Sequence, residues 1–115
     1  MTISRIIDIL EARLLTKGAD CTREVHTACG SDMMSDVLAF VKDQSVLLTG
    51  LNNPQVVRTA DMMDMVCIVF VRGKKPDDAI LALARQREMA VLCTGHTMFT
   101  ACGLLYSHGL RGGVH

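Results

Sequence analysis

The sequence predicts an α/β fold: a three-layer α/β/α, Rossmann-like sandwich with a mostly parallel sheet of about five strands. Three observations carry that expectation. Short apolar runs at 45–50 (SVLLTG), 66–73 (VCIVFVRG) and 90–95 (AVLCTG) each close on a polar residue followed by Gly. Each run leads into a segment of helical periodicity, and Gly50, Gly73 and Gly95 stand 23 and 22 residues apart. That is about the length a strand needs to reach a parallel neighbour through a helical crossover. The runs are also continuously apolar rather than alternating, as strands buried on both faces are.

The elements follow in chain order. From Ser4, the residues Ile6, Ile7, Ile9, Leu10 and Leu14 recur near the spacing of a helix lying on a core, with Thr2 or Ser4 as N-cap. Residues 13–17 read as a short edge strand, and Gly18 ends the local pattern. Residues 22–29 (TREVHTAC) read as a strand with partial alternation that can pair at either sheet edge. A turn at Gly30-Ser31-Asp32 opens a short helix within 30–41, capped by Ser35 or Asp32. Residues 54–64 (PQVVRTADMMD) form a helix with Pro54 at its first position, where the missing N–H is not needed. In 76–89, Asp77 and Asp78 fall in the first helical turn, which the helix dipole favours. A last helix lies within 96–110, and GLRGG at 109–113 reads as a helix stop with a tail frayed from about residue 110. No linker or low-complexity tract divides the chain, so residues 1–115 are expected to form one domain.

Composition removes whole classes of function. A chain of 115 residues buries roughly two-thirds of its unfolded surface and needs neither disulfides nor a structural metal to fold. Half the residues are apolar and the mean hydropathy is +0.30, which excludes a disordered chain. Twelve basic and twelve acidic side chains cancel, with neither half of the chain strongly biased, which argues against a nucleic-acid partner. Phe40, Phe70, Phe99 and Tyr106 are the only aromatics, too few for base-stacking platforms. The five cysteines are an odd number, and the start of the chain runs into the amphipathic SRIIDILEARLL rather than a signal peptide. No segment reaches the roughly twenty apolar residues of a membrane span. The expected setting is therefore cytoplasmic, with free thiols, no membrane and no cofactor.

The expected topology gathers a candidate ligand site at the carboxyl edge of the sheet, where loops and helix N-termini expose N–H groups. It consists of Asn52 and Asn53 after one strand, Arg72 and Gly73 after the next, and Thr94, His96 and Thr97 after the last, with Ser31-Asp32 as a further candidate. Hydroxyls, amides and a guanidinium suit a small anion, although Thr, Asn and Gly are also ordinary turn and cap residues. The sequence has neither GxxxxGK[ST] nor GxGxxG, which removes the best support for a nucleotide enzyme. Cys93, His96 and Cys102 supply too few ligands for tetrahedral zinc, so no metal site is expected. An enzyme using Cys93, His96 or Arg72 is the alternative, weakened by the lack of an orienting acid or oxyanion-hole motif. The apolar girdle of 54–65 makes Met62, Met63 and Met65 candidates for a homodimer contact.

These stretches also carry a resemblance. The segments GSDMMSDVLAFV, LLTGLNNPQVVRTA, VFVRGKKP and TMFTACGLLY occur in that order, and with them nearly the whole chain resembles the DRTGG domain. Through it the chain is similar to the N-terminal domain of bacterial HPr kinase/phosphorylase, and most of all to small stand-alone DRTGG proteins. The resemblance implies a Rossmann-like fold and a regulatory or dimerising module without its own chemistry. It also suggests a link to iron-only hydrogenase metabolism. The kinase activity of the HPr enzyme belongs to a separate domain with a phosphate loop, which is not present here. The family's eponymous Asp-Arg falls on Asn52-Asn53 and its Thr-Gly-Gly on Val71-Arg72-Gly73, so only Gly73 is kept. At the last strand end the usual Asp-Thr becomes His96-Thr97. The scaffold transfers better than the site.

Overall fold

Every residue of the three central strands is buried, because the sheet is covered on both faces. The computed structural model describes residues 1–40 and 44–112, leaving out the side chain of Phe40. In chain order the elements are α1 (Ile3–Leu10), β1 (Arg13–Leu14), β2 (Thr27–Gly30), α2 (Met34–Phe40) and β3 (Ser45–Thr49). They continue with α3 (Gln55–Met62), β4 (Cys67–Phe70), α4 (Asp78–Gln86), β5 (Ala90–Cys93) and α5 (Met98–Ser107). The sheet order is β1-β5-β4-β3-β2. Strands β2 to β5 are parallel, and β1 alone runs antiparallel, with Arg13 opposite Cys93. The α/β sandwich with a mostly parallel five-stranded sheet is therefore the fold observed.

Within each continuously apolar strand, successive side chains still go to opposite faces. Leu47, Ile68, Phe70 and Val91 pack against Val37 of α2, Val56 and Ala60 of α3, and Ile80 and Ala84 of α4. Val46, Leu48, Val69 and Leu92 pack against Ile3, Ile6 and Leu10 of α1 and Ala101 and Leu105 of α5. Helices α2 to α4 thus share one face, since β2 to β5 step in one direction and right-handed crossovers keep to one side. After β5 the chain changes face. Thr2 caps α1, its side chain accepting from Arg5 N at 3.1 Å, and Glu11 ends it in the left-handed region.

The structure corrects the sequence reading at three places. The strand expected over 22–29 is β2 at Thr27–Gly30, on the edge beside β3, with only an isolated bridge at Glu24 before it. Asp20 accounts for the shortfall: its carboxylate accepts from the backbone N and the hydroxyl of Thr22, which bends the chain into a local turn. The tail expected to fray from about 110 is held instead. Leu110 is buried in the core, and Arg111 O accepts from Ala28 N at 2.9 Å, which extends the sheet beyond β2. Arg111 also stacks its guanidinium over the Tyr106 ring at 3.9 Å. Met65, expected at a dimer contact, is 4% exposed and packs with α3 and α4 in the core. Beyond Met62 the chain turns inward, with Asp64 at φ 55°, and so carries Met65 under the helix. Residues 41 and 113–115, which the readings of α2 and the tail included, lie outside the described residues.

Candidate functional site

The carboxyl edge is built by four consecutive βα loops. After β3, Thr49 and Gly50 turn the chain toward Asn53, whose side-chain oxygen accepts from Gln55 N at 2.8 Å at the start of α3. Pro54, expected at the first helical position, stands one place earlier as the N-cap residue of α3. Asn52 reaches sideways, exchanging two hydrogen bonds of 3.3 Å with the side chain and backbone N of Asp77, the N-cap of α4. After β5, the Thr94 hydroxyl is buried, donating to Leu10 O at 2.8 Å and accepting from His96 N at 3.3 Å. Thr97 caps α5, accepting from Thr100 N at 3.3 Å. The polar atoms of Asn52, Asn53, Thr94 and Thr97 are therefore engaged in shaping the loops.

Arg72 is placed differently. It occupies the left-handed region at φ 60°, followed by Gly73 at φ 68°. A non-glycine residue adopts that conformation only when its surroundings hold it there. Two backbone bonds do so: Arg72 N donates to His96 O at 2.7 Å and Gly73 N to Thr94 O at 2.8 Å. Here the β4 loop leaves toward the α2–α4 face and the β5 loop toward the α1–α5 face, so the two loops part where they are stapled. In open α/β sheets such a divergence is where a binding crevice opens. The Arg72 side chain then turns back over β3. A Cβ built on Gly50 would lie 2.9 Å from its Nη2 and 3.7 Å from Asp32 Oδ1, so only glycine leaves room for this approach.

Asp32, only a further candidate in the sequence reading, lies at the centre of this edge. Its Oδ1 accepts from Gly50 N at 2.7 Å and from the Thr49 hydroxyl at 2.9 Å. The Gly50 N–H bond holds its carboxyl below the usual carboxylate range, helped by the Thr49 hydroxyl and the charges of Arg72 and Lys74 and opposed by partial burial. The available signal was its place just after a strand, at the same edge as Arg72. Asp32 thus ties the loops after β2 and β3 through its carboxylate, and the Arg72 guanidinium from the loop after β4 lies close beside Gly50.

The nucleophile–base pair of the alternative reading does not form. Cys93 is 8% exposed and its thiol donates to Lys74 O at 3.3 Å, whereas His96 Nε2 lies 3.8 Å from Glu11 Oε1. Among the described residues no group of three His, Cys, Asp or Glu side chains is arranged to hold a metal, and Cys93, His96 and Cys102 are not brought together as one. Burial pushes the Cys67 thiol far up and raises Cys29 and Cys102 as well. Among the described residues no helix is long and apolar enough to cross a membrane.

With this geometry in hand, comparison with known proteins is specific. The DRTGG domain matches residues 5–107. The chain belongs to the DRTGG domain family. A solved structure shares the fold of this DRTGG domain: the CBS and DRTGG domains of the regulatory region of Clostridium perfringens pyrophosphatase, complexed with the activator diadenosine tetraphosphate. The two superpose with a TM-score of 0.70 at 17% identity, over 90% of this chain and 45% of that one. This DRTGG domain therefore spans a little under half the length of that regulatory region. No match was found among curated proteins.

Proposed function

We propose that this DRTGG domain is a non-catalytic regulatory or interaction module of the cytoplasm that senses a small anionic metabolite at the carboxyl edge. The observation that supports it is the Arg72 latch. A guanidinium carried on a left-handed backbone, close beside Gly50 and within electrostatic reach of Asp32, is a ready anion receptor. An anion bound by Arg72 takes up the charge that now acts on Asp32, whose carboxylate holds the β2–α2 loop to Thr49 and Gly50. Binding thereby becomes a change in surface that a partner protein can read. The nucleotide activator in the Clostridium perfringens complex makes a nucleotide polyphosphate the first ligand to try. A setting beside iron-only hydrogenase metabolism rests on the family resemblance alone. We also place a homodimer contact at exposed Met62, with half-buried Met63 at its margin.

A thermal-shift screen of nucleotides, acyl phosphates, small carboxylates and diadenosine tetraphosphate tests this reading. A true ligand at a hundred times its dissociation constant adds about 2.7 kcal/mol, several degrees in a domain of this size. Arg72→Ala is expected to abolish the shift, and salt to weaken it. A screen without any shift, or a shift indifferent to Arg72→Ala, defeats the reading.

A further inference from the structure

The amino-terminal edge of the sheet lies one strand length, roughly 13 Å, from the Arg72 latch. There the connection from β1 to β2 folds over the C-terminal end of α4 and the start of β5. The two sides enclose a cavity of about 470 Å³, with Thr16, Lys17, Asp20, Arg23, Arg85 and Met89 among its lining residues. That volume is in the range of sites for small molecules, about 300–1,000 Å³. The residues that shape the cavity are tied to the frame around it. The buried Thr16 hydroxyl accepts from Val91 N at 3.0 Å, fixing the connection against β5. Gly18 takes the turn at φ 84°, and buried Met89 contributes an apolar wall.

Two guanidinium groups are anchored here by carbonyl oxygens. Arg23 donates Nε to Asp20 O and Nη2 to Val66 O, both at 3.3 Å, and Arg85 donates Nη2 to Leu15 O at 3.4 Å. Carbonyl partners orient a guanidinium without cancelling its charge, and the remaining N–H groups stay available. Among the described residues neither arginine forms an ion pair with a carboxylate. Of the two acids in the lining, Asp20 turns its carboxylate into its own loop, accepting from Thr22 N at 2.9 Å and the Thr22 hydroxyl at 2.5 Å. Glu88 is the other, exposed beside Met89. Lys17 adds a third cation on the exposed side.

We propose that this cavity binds a phosphorylated small molecule of about nucleotide size, separately from the carboxyl edge. The Arg23 and Arg85 forks and the Lys17 ammonium take the phosphate oxygens, and the remainder lies against Ala19 and Met89. A ligand bound this way clamps the 16–23 connection to α4 and β5.

Titration of the full chain with adenosine diphosphate and with inorganic pyrophosphate, followed by amide NMR shifts, tests this proposal. The expected changes centre on residues 16–23 and 85–89 and persist in Arg72→Ala. A Lys17→Gln/Arg85→Gln double variant is expected to bind at least about tenfold more weakly, because two charge-assisted contacts are lost. Both substituted residues are exposed, and the ligand-free amide spectrum of the variant checks its fold. If the double variant does not fold, the single Lys17→Gln variant carries the same comparison. Shifts centred on 49–53 and 72–75, unchanged affinity in the folded variant, or no binding at about 10 mM of either probe overturns the proposal.

Discussion

At the scale of single residues, the carboxyl edge turns on one carboxylate. Asp32 carries a folded-state pKa below its unfolded value, so the folded protein binds fewer protons there. Its contribution to stability is full above the ordinary carboxylate range near pH 4 and is lost as pH falls through the depressed folded value. Asp32→Asn keeps an acceptor for Gly50 N but removes the titration. We expect the variant's acid unfolding curve to lose this component while its stability near pH 7 falls by only about 1 kcal/mol, a modest value because the group is exposed. Acid titrations that superpose for both proteins would show that Asp32 is not coupled to folding. Gly50→Ala probes the same contact from the other side. The atom that its Cβ meets is the far end of the Arg72 side chain, which can swing away. The fold is therefore expected to survive with a destabilisation of about 1 kcal/mol or less, while the thermal response to an anion changes. Calorimetry with and without the ligand separates the two effects.

At the scale of elements, the three βα repeats were legible because their physics is local. A continuously apolar strand and a Gly at its end each leave a mark in a few adjacent residues, and β3, β4 and β5 lie where those marks are. The start of β2 was misread because alternation in TREVHTAC competes with the Asp20–Thr22 turn, which the pattern does not weigh. The latch was only half legible. Arg72 and Gly50 stand in plain view at strand ends, but their meeting depends on how far the guanidinium bends back, a tertiary fact. Met62, Met63 and Met65 show the same limit, since one helical stripe cannot tell core from interface. Their burial now separates them: Met62 is 67% exposed and Met65 4%. Met65→Glu puts an unpaired charge into the α3–α4 core and is expected to cost several kcal/mol, unfolding a domain of this size. Met62→Glu is expected to leave the chain folded, melting well above Met65→Glu and below the wild type only by what the lost dimer contact contributes. Equal melting temperatures for the two variants would contradict this packing.

At the scale of the whole molecule, exposed large apolar side chains among the described residues lie on both helical layers, with Met33, Leu38 and Met62 around α2 and α3 and Phe99 and Tyr106 on α5. Met62 projects at the end of α3, on the face covered by α2 to α4. On the opposite layer, α5 exposes Phe99 (87%) and Tyr106 (59%). These two are seven residues apart and so lie on one side of the helix, about 10 Å from each other. Phe99 sits in the first turn of α5, at the carboxyl edge with the latch, so an interface there would be coupled to any ligand bound by Arg72. The Met62 contact lies at the far end of α3 and would be indifferent to that ligand. The proposed Met62 homodimer therefore makes a joint prediction. Light scattering at micromolar concentration should give twice 12.5 kDa, from an interface burying on the order of 1,000 Å² or more. Met62→Glu should yield a folded monomer, and Phe99→Glu and the anion should leave the dimer intact. A monomeric wild-type chain would remove the homodimer altogether. Dissociation by Phe99→Glu but not by Met62→Glu would move the interface to α5, and with it the surface through which the latch signals.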